Sequence, residues 1–409
     1  AGATAWALLD TGRAKPGPAP APSAASPTGA TTSSAAATAG PARGPHTPPA
    51  ATWHKTLAGG MNASLLIAQG TAVVGSTAGI FAYAMKDGTD RWNKPDDSTT
   101  TLAGSGTTVA WDGAALVGVD AATGAVLWTF DPKPAAGATE QLAPGAVLAA
   151  DDQAVYALCS FTPLDAQGNP DFSAKATPGI MAVDRSSGAV RWSQHRKPDA
   201  DTTGIQAVLA GDQLLYTDSL QNLVSRSRST GEQLWFVDTD SQGPYQPATD
   251  GQRIFCSTTG NGLQAVAIDT HRQAWAKLRP AGSHDLWYSD PAVANGVVYT
   301  VLGGLTLPQY GATPSAGPVL IAFRATDGQE LWRLTLPNEV SMTAAPIVVQ
   351  ETLFVSTDNN GIYAVDTTAR QIRWAFQDPL AVGAAWAFAT DGHQLLAASG
   401  TRIYALPAA

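Results

Sequence analysis

Cysteine, histidine, methionine and charge are all scarce in this 409-residue chain, and each scarcity removes a class of chemistry. The two cysteines, Cys159 and Cys256, stand 97 positions apart, so no CxxC redox pair, thiolate zinc site or disulfide framework organises the fold. Each lies in an apolar stretch, 155–159 and 254–256, where core packing is the expected role. The six histidines never fall at metal-ligand spacing, and no HExxH helix, Walker loop or GxSxG elbow is present. No catalytic residue and no metal ligand is therefore assigned. Charged residues make up only 14%, with a formal net charge of −9 and a pI near 5.0, which argues against nucleic acid or an anionic lipid surface as the main partner. Beyond residue 53 no apolar run is long enough to span a bilayer.

What is plentiful is glycine (40), proline (28) and tryptophan (12). Residues 1–13 open on a short apolar run that reads as the end of a transmembrane helix, or else as an apolar tail. Between Ala14 and Thr52, 36 of 39 residues are Ala, Pro, Gly, Ser or Thr, and nine are proline. Such a stretch has too little apolar surface to order itself and is expected to act as a partly extended spacer. The folded part is expected over 53–409.

That part repeats. Trp53, Trp92, Trp128, Trp192, Trp235, Trp275, Trp332 and Trp374 recur at intervals of 39, 36, 64, 43, 40, 57 and 42 residues. Between them run short β-branched and aromatic stretches bounded by Gly and Asp, as in 72–76, 80–83, 353–356 and 362–366. Four strands per repeat of roughly 40–45 residues is the bookkeeping of a propeller blade. The last repeat lacks a tryptophan strand, while Trp53 has no repeat before it. The expectation is an all-β, eight-bladed β-propeller of four-stranded antiparallel blades, closed by an N-terminal strand over 52–57 that completes the last blade.

Five of the seven turns ahead of these tryptophans carry glycine at the fourth position before Trp: Gly88, Gly124, Gly188, Gly231 and Gly328. His271 and Arg370 replace it in the other two. Asp120, Asp184 and Asp366 stand eight positions before their tryptophans. Glycine supplies positive φ for a tight turn, and the Trp face is expected to pack on the neighbouring blade. The pattern resembles the tryptophan-docking repeat A-x-D-x-x-T-G-x-x-x-W of the quinoprotein (PQQ-like) β-propeller superfamily. Enzymes of that family are quinone- and calcium-dependent dehydrogenases, many with two adjacent cysteines. This chain has no such pair and lacks their long inserted loops, so neither catalysis nor a bound quinone is expected.

In architecture the spacer and propeller resemble the extracytoplasmic domains of membrane-anchored bacterial Ser/Thr kinases and, less closely, the barrel-assembly lipoprotein propeller. The resemblance implies a non-catalytic sensing or protein-interaction module at the cell surface or in the periplasm, tethered through an upstream segment. Its partner would be a small molecule, a cell-wall component or a protein. Propeller ligands enter where connectors meet the innermost strands, and there lie Tyr245, His284, Asp285, Trp287, Tyr288, Met342 and Trp386. These either form an aromatic-lined binding mouth or simply plug the channel. Two Pro/Gly-rich insertions, 161–179 and 303–318, read as exposed loops, and the acidic stretch 165–171 inside the first reads as solvated loop.

Overall fold

The computed structural model describes residues 47–407 apart from 96–100, 113–114, 135–136, 197–205, 218–221, 239–245, 259–261, 281–285, 305–316, 338–339, 342–343, 358–360 and 379–384. Eight antiparallel sheets succeed one another along the chain. Blades 1 to 7 occupy 61–95, 102–129, 140–195, 206–238, 248–277, 286–335 and 347–377. Blade 8 takes three strands from 387–407 and its fourth from Trp53–Thr56. The middle strands are buried on both faces, so Thr71–Ser76 and Asn222–Ser227 have every residue buried and no alternation to read. Outer strands alternate instead: in Val190–His195 only Trp192 is buried.

The first strands of consecutive blades touch one another around the whole ring. Met61–Ala68 of blade 1 meets Leu102–Ser105 of blade 2 on one side and Ala387–Thr390 of blade 8 on the other. The hydrophobic core is arranged to match. It divides into eight clusters, each shared by two consecutive blades. One of them joins Trp53 and Leu57 to Val74 and Tyr83 of blade 1 and to Ile403 and Leu396 of blade 8.

Closure is as expected. Trp53–Thr56 pairs antiparallel with Arg402–Pro407, with Trp53 opposite Ala405 and Thr56 opposite Arg402. Contacts extend slightly ahead of Trp53, because the Thr52 amide donates to Ala405 O at 2.9 Å and Ala51 packs on the cluster between blades 7 and 8. The expected membrane-helix remnant over 1–13 and most of the 14–52 spacer lie outside the described residues. Among the described residues no helix is long and apolar enough to cross a membrane.

Each docking glycine has positive φ, between 68° and 75°, and lies directly under the indole of the preceding blade. At Gly188 an added Cβ would sit 2.7 Å from the Trp128 ring, which is why only glycine suits the position. The indole N–H then donates to the carbonyl three residues before the glycine: Trp53 to Met85, Trp92 to Ala121, Trp128 to Arg185, Trp192 to Arg228 and Trp275 to Ala325, at 2.7–2.9 Å. Where Asp stands eight before Trp, its carboxylate caps the turn. Asp120 accepts from the Thr123 amide and hydroxyl at 2.9 and 2.8 Å. These bonds hold the Asp120 carboxyl below its usual range.

The two turns without glycine keep the same backbone, with φ of 57° at His271 and 59° at Arg370. At the first of them the indole meets an imidazole ring instead of a glycine. Trp235 stacks on the His271 ring at 4.9 Å and 23°, and its N–H turns to Gln213 of its own blade at 3.1 Å. Trp332 makes no hydrogen bond to the turn of blade 7, although it tilts against Tyr299 of its own blade at 5.9 Å and 52° much as docked Trp192 does against Tyr156. Blades 3 and 4 gain a further clamp, since Asp151 takes a 2.6 Å hydrogen bond from Tyr156 and an ion pair from Arg228 in the next blade's turn.

Candidate functional site

An antiparallel meander sends its turns alternately to opposite ends. In blades 1 to 7 the first and third turns, including the docking turns, leave from one end; the second turn and the connector to the next blade leave from the other, here called the connector end. The blade 3 insertion belongs to the connector end, and so do the stretches that hold Trp287, Tyr288 and Trp386.

In blade 3 the insertion joins Ala154–Pro163 to Thr177–Asp184 and is built by its own acidic residues. Asp165 accepts from the Gln167 and Asn169 amides at 2.9 and 2.8 Å, and Leu164 bridges Pro170. Asp171 accepts from the Ser173 amide at 2.9 Å and from its hydroxyl at 2.5 Å. The carboxylates shape turns, in keeping with the loop reading of 165–171. Within the second cap, between Asp171 and Ser173, Phe172 points out with 86% of its surface exposed. The next two blades add Phe236, 52% exposed in the connector-end half of Gln233–Asp238, and Leu278, 70% exposed just after Gln273–Lys277. Three consecutive blades thus present a large apolar side chain to solvent at one end. Nothing in the sequence separated Phe172 from any other residue of an exposed loop.

Trp287 lies in Leu286–Tyr288, the innermost strand of blade 6, and is half-buried, with the Arg279 guanidinium 6.0 Å from its ring centre. Tyr288 beside it is buried and meets Phe323 edge-on at 6.4 Å. Trp386 is fully buried in the seam between blades 7 and 8, packed on Phe376 and Tyr404 at 5.9 and 5.8 Å, its amide bonded to Ser356 Oγ at 2.9 Å. The structure does not bring these three rings into one pocket. Tyr288 and Trp386 belong to separate cores, and of the three only Trp287 reaches the surface. Tyr245, His284, Asp285 and Met342 lie outside the described residues.

A residue that sequence reasoning missed sits next to Trp287. Ser289, Asp290 and Pro291 interrupt the innermost strand of blade 6, and the Asp290 carboxylate is buried, accepting from Ser257 Oγ of blade 5 at 3.2 Å. Burial pushes its pKa to about 7, although the Gln246 amide and Ser257 hydroxyl partly offset the rise.

A quinone with calcium would require converging oxygen donors. Among the described residues no three His, Cys, Asp or Glu side chains converge on one point. Cys159 and Cys256 are buried in different blades, where burial raises both thiols to about 12, so neither is a nucleophile near neutrality.

No curated protein matches the chain in sequence. Among solved structures, BamB from Moraxella catarrhalis aligns with a TM-score of 0.60 at 14% identity, over 88% of this chain and 99% of its own. The computationally designed Ika8 protein aligns at 0.60 and 12%, over 86% and 98%. The quinohemoprotein alcohol dehydrogenase from Comamonas testosteroni aligns at 0.55 and 12%, over 88% and 76%. At such identities the likeness shows the shared propeller fold. The family model described as outer membrane protein assembly factor BamB matches residues 176–308 and 283–409, together more than half of the sequence, and the chain belongs to that family.

Proposed function

We propose that this chain is a non-catalytic binding propeller that works outside the cytoplasm and holds a protein partner at its connector end. The observation that carries the reading is Phe172, held almost fully exposed on a loop ordered by Asp165 and Asp171. Covering such a ring is worth about 1.5–3 kcal/mol, and a fixed loop loses little entropy when it is covered. Phe236 and Leu278 extend the apolar series over the next two blades, which suits a protein surface better than a small molecule.

Family membership supports a scaffold setting, since the family is described by an outer membrane assembly factor. The finer reading is a sensor domain of a membrane-anchored Ser/Thr kinase, in which the Pro/Ala-rich stretch 14–52 would hold the propeller away from the membrane and pass on proximity rather than a defined rotation. A kinase catalytic domain encoded upstream of Ala1 would favour the sensor; a lipid-modified cysteine there would favour the scaffold.

Absence of turnover is tested with the full chain, pyrroloquinoline quinone, calcium and a panel of alcohols and sugars. No dye reduction above the protein-free rate is expected. Sustained quinone-dependent reduction would overturn the non-catalytic reading.

A further inference from the structure

At five seams the docking indole covers a glycine and spends its N–H on the turn behind it. The seam between blades 6 and 7 is built differently. Arg370 occupies the glycine position in left-handed backbone, its side chain exposed, and Trp332 makes no hydrogen bond to the blade 7 turn. Beside Trp332 and the blade 7 turn lies a cavity of about 440 Å³, open to solvent at the end opposite the connectors.

Its two walls differ in chemistry. Blade 6 supplies the Trp332 and Tyr299 rings and Val297, and blade 7 contributes Val348 to the same apolar floor. Blade 7 also supplies a cation, Arg370, and an anion, Glu351. The two turns that carry them are tied together, because Thr367 donates to Glu351 O through its amide at 3.0 Å and its hydroxyl at 2.9 Å. Among the described residues the Arg370 guanidinium and the Glu351 carboxylate form no ion pair, with each other or with any other group. The indole N–H of Trp332 is likewise unspent.

We propose that this cavity binds a free α-amino acid with an apolar or aromatic side chain. Arg370 would take the carboxylate, Glu351 the ammonium, and the side chain would lie against Trp332, Tyr299 and Val297. A purely anionic ligand would meet repulsion from Glu351 and a purely cationic one from Arg370, so the paired opposite charges select a zwitterion. The volume suits a molecule of that size. The cavity is independent of the partner surface at the connector end, since the two lie at opposite ends of the blades.

The test is calorimetric titration of the full chain with L-phenylalanine and L-leucine, alongside 3-phenylpropionate, which lacks the ammonium, and phenethylamine, which lacks the carboxylate. Saturable binding of the amino acids, about tenfold or more tighter than either half-ligand, is expected from the charged hydrogen bond each half-ligand forgoes. Arg370→Ala should abolish the preference over phenethylamine, and Glu351→Gln the preference over 3-phenylpropionate. Arg370→Gly restores the docking residue and should let Trp332 seat on the turn, raising Tm while eliminating binding. Failure of both amino acids to bind would overturn the proposal. Equal binding of the half-ligands, or full binding by Arg370→Gly, would also overturn it.

Discussion

Trp53 and Met85 join the strand that completes blade 8 to blade 1: the indole N–H donates to Met85 O at 2.7 Å while the ring covers Gly88. Trp53 is also paired with Ala405, so one residue both completes blade 8 and docks it on blade 1. Its replacement by alanine removes a buried ring and this hydrogen bond together. The expected loss is about 3–5 kcal/mol, with proteolysis starting at the seam between blades 8 and 1. Denaturant unfolding combined with limited proteolysis of Trp53→Ala checks both. A loss no larger than that of an exposed substitution would mean that the ring is held shut elsewhere.

Trp374 offers a contrast. Its turn partner would lie between Arg402–Pro407 and Trp53–Thr56, and the chain ends replace that turn, leaving the buried Nε1 without a hydrogen-bond partner. Trp128, by comparison, donates to Arg185 O at 2.7 Å. Phenylalanine removes similar volume at both sites, so Trp374→Phe should cost about 1 kcal/mol less than Trp128→Phe, the worth of one buried hydrogen bond. Equal costs in urea melts would contradict the seam description.

Gly188→Ala and Gly211→Ala separate ring contact from backbone strain. Both glycines have positive φ, 71° and 57°, but only at Gly188 does an added Cβ meet a ring, 2.7 Å from Trp128; at Gly211 nothing lies within 4 Å. Gly211→Ala should cost about 1 kcal/mol from left-handed backbone alone. Gly188→Ala should cost clearly more, because blades 2 and 3 must move apart. Thermal melts of the two variants measured together decide this.

Stability should also carry a mark of Asp290. Its folded pKa, about 7, lies above the ordinary carboxyl value of 3.8, so the fold binds this proton more tightly than the unfolded chain does. Its contribution is complete below about pH 4 and is lost as the pH rises through about 7. Asp120 and Asp184 are shifted the other way by hydrogen bonds from Thr123, Ser186 and Ser187, and their contribution is lost as pH falls through the carboxyl range. Asp366 is also lowered: burial alone would raise it, but the Ala369 amide and Arg373 outweigh that. Between pH 5 and about 7 the wild-type Tm should therefore decline, and Asp290→Asn should flatten that decline without altering the acid limb. An unchanged slope in Asp290→Asn would assign the decline to another group.

The ring was legible in the sequence because its signal is local. Glycine and tryptophan four residues apart mark a turn and the outer strand after it, and the matching deficits at the two ends marked the closing strand. Seam chemistry was only half legible. His271 and Arg370 were visible as departures, yet their consequences depend on residues far apart in the chain, such as Tyr299, Trp332 and Glu351, meeting across blades. Burial at the connector end was not legible at all. Trp386 and Trp287 look alike in sequence, and the difference is that Phe376 and Tyr404 from two blades close over the first. Asp290 was hidden for the same reason, since its partner Ser257 belongs to another blade.

A protein-binding connector end is tested most directly by site-specific photo-cross-linking in the source cells. A photoreactive phenylalanine analogue would be placed at Phe172 in one full-length protein. In another it would replace Gln252, an exposed residue in a blade 5 turn at the opposite end. A discrete protein adduct is expected from position 172, reduced when Leu278→Ala is added, and none from position 252. Adducts of equal yield from both positions, or from 252 alone, would contradict a partner surface at the connector end.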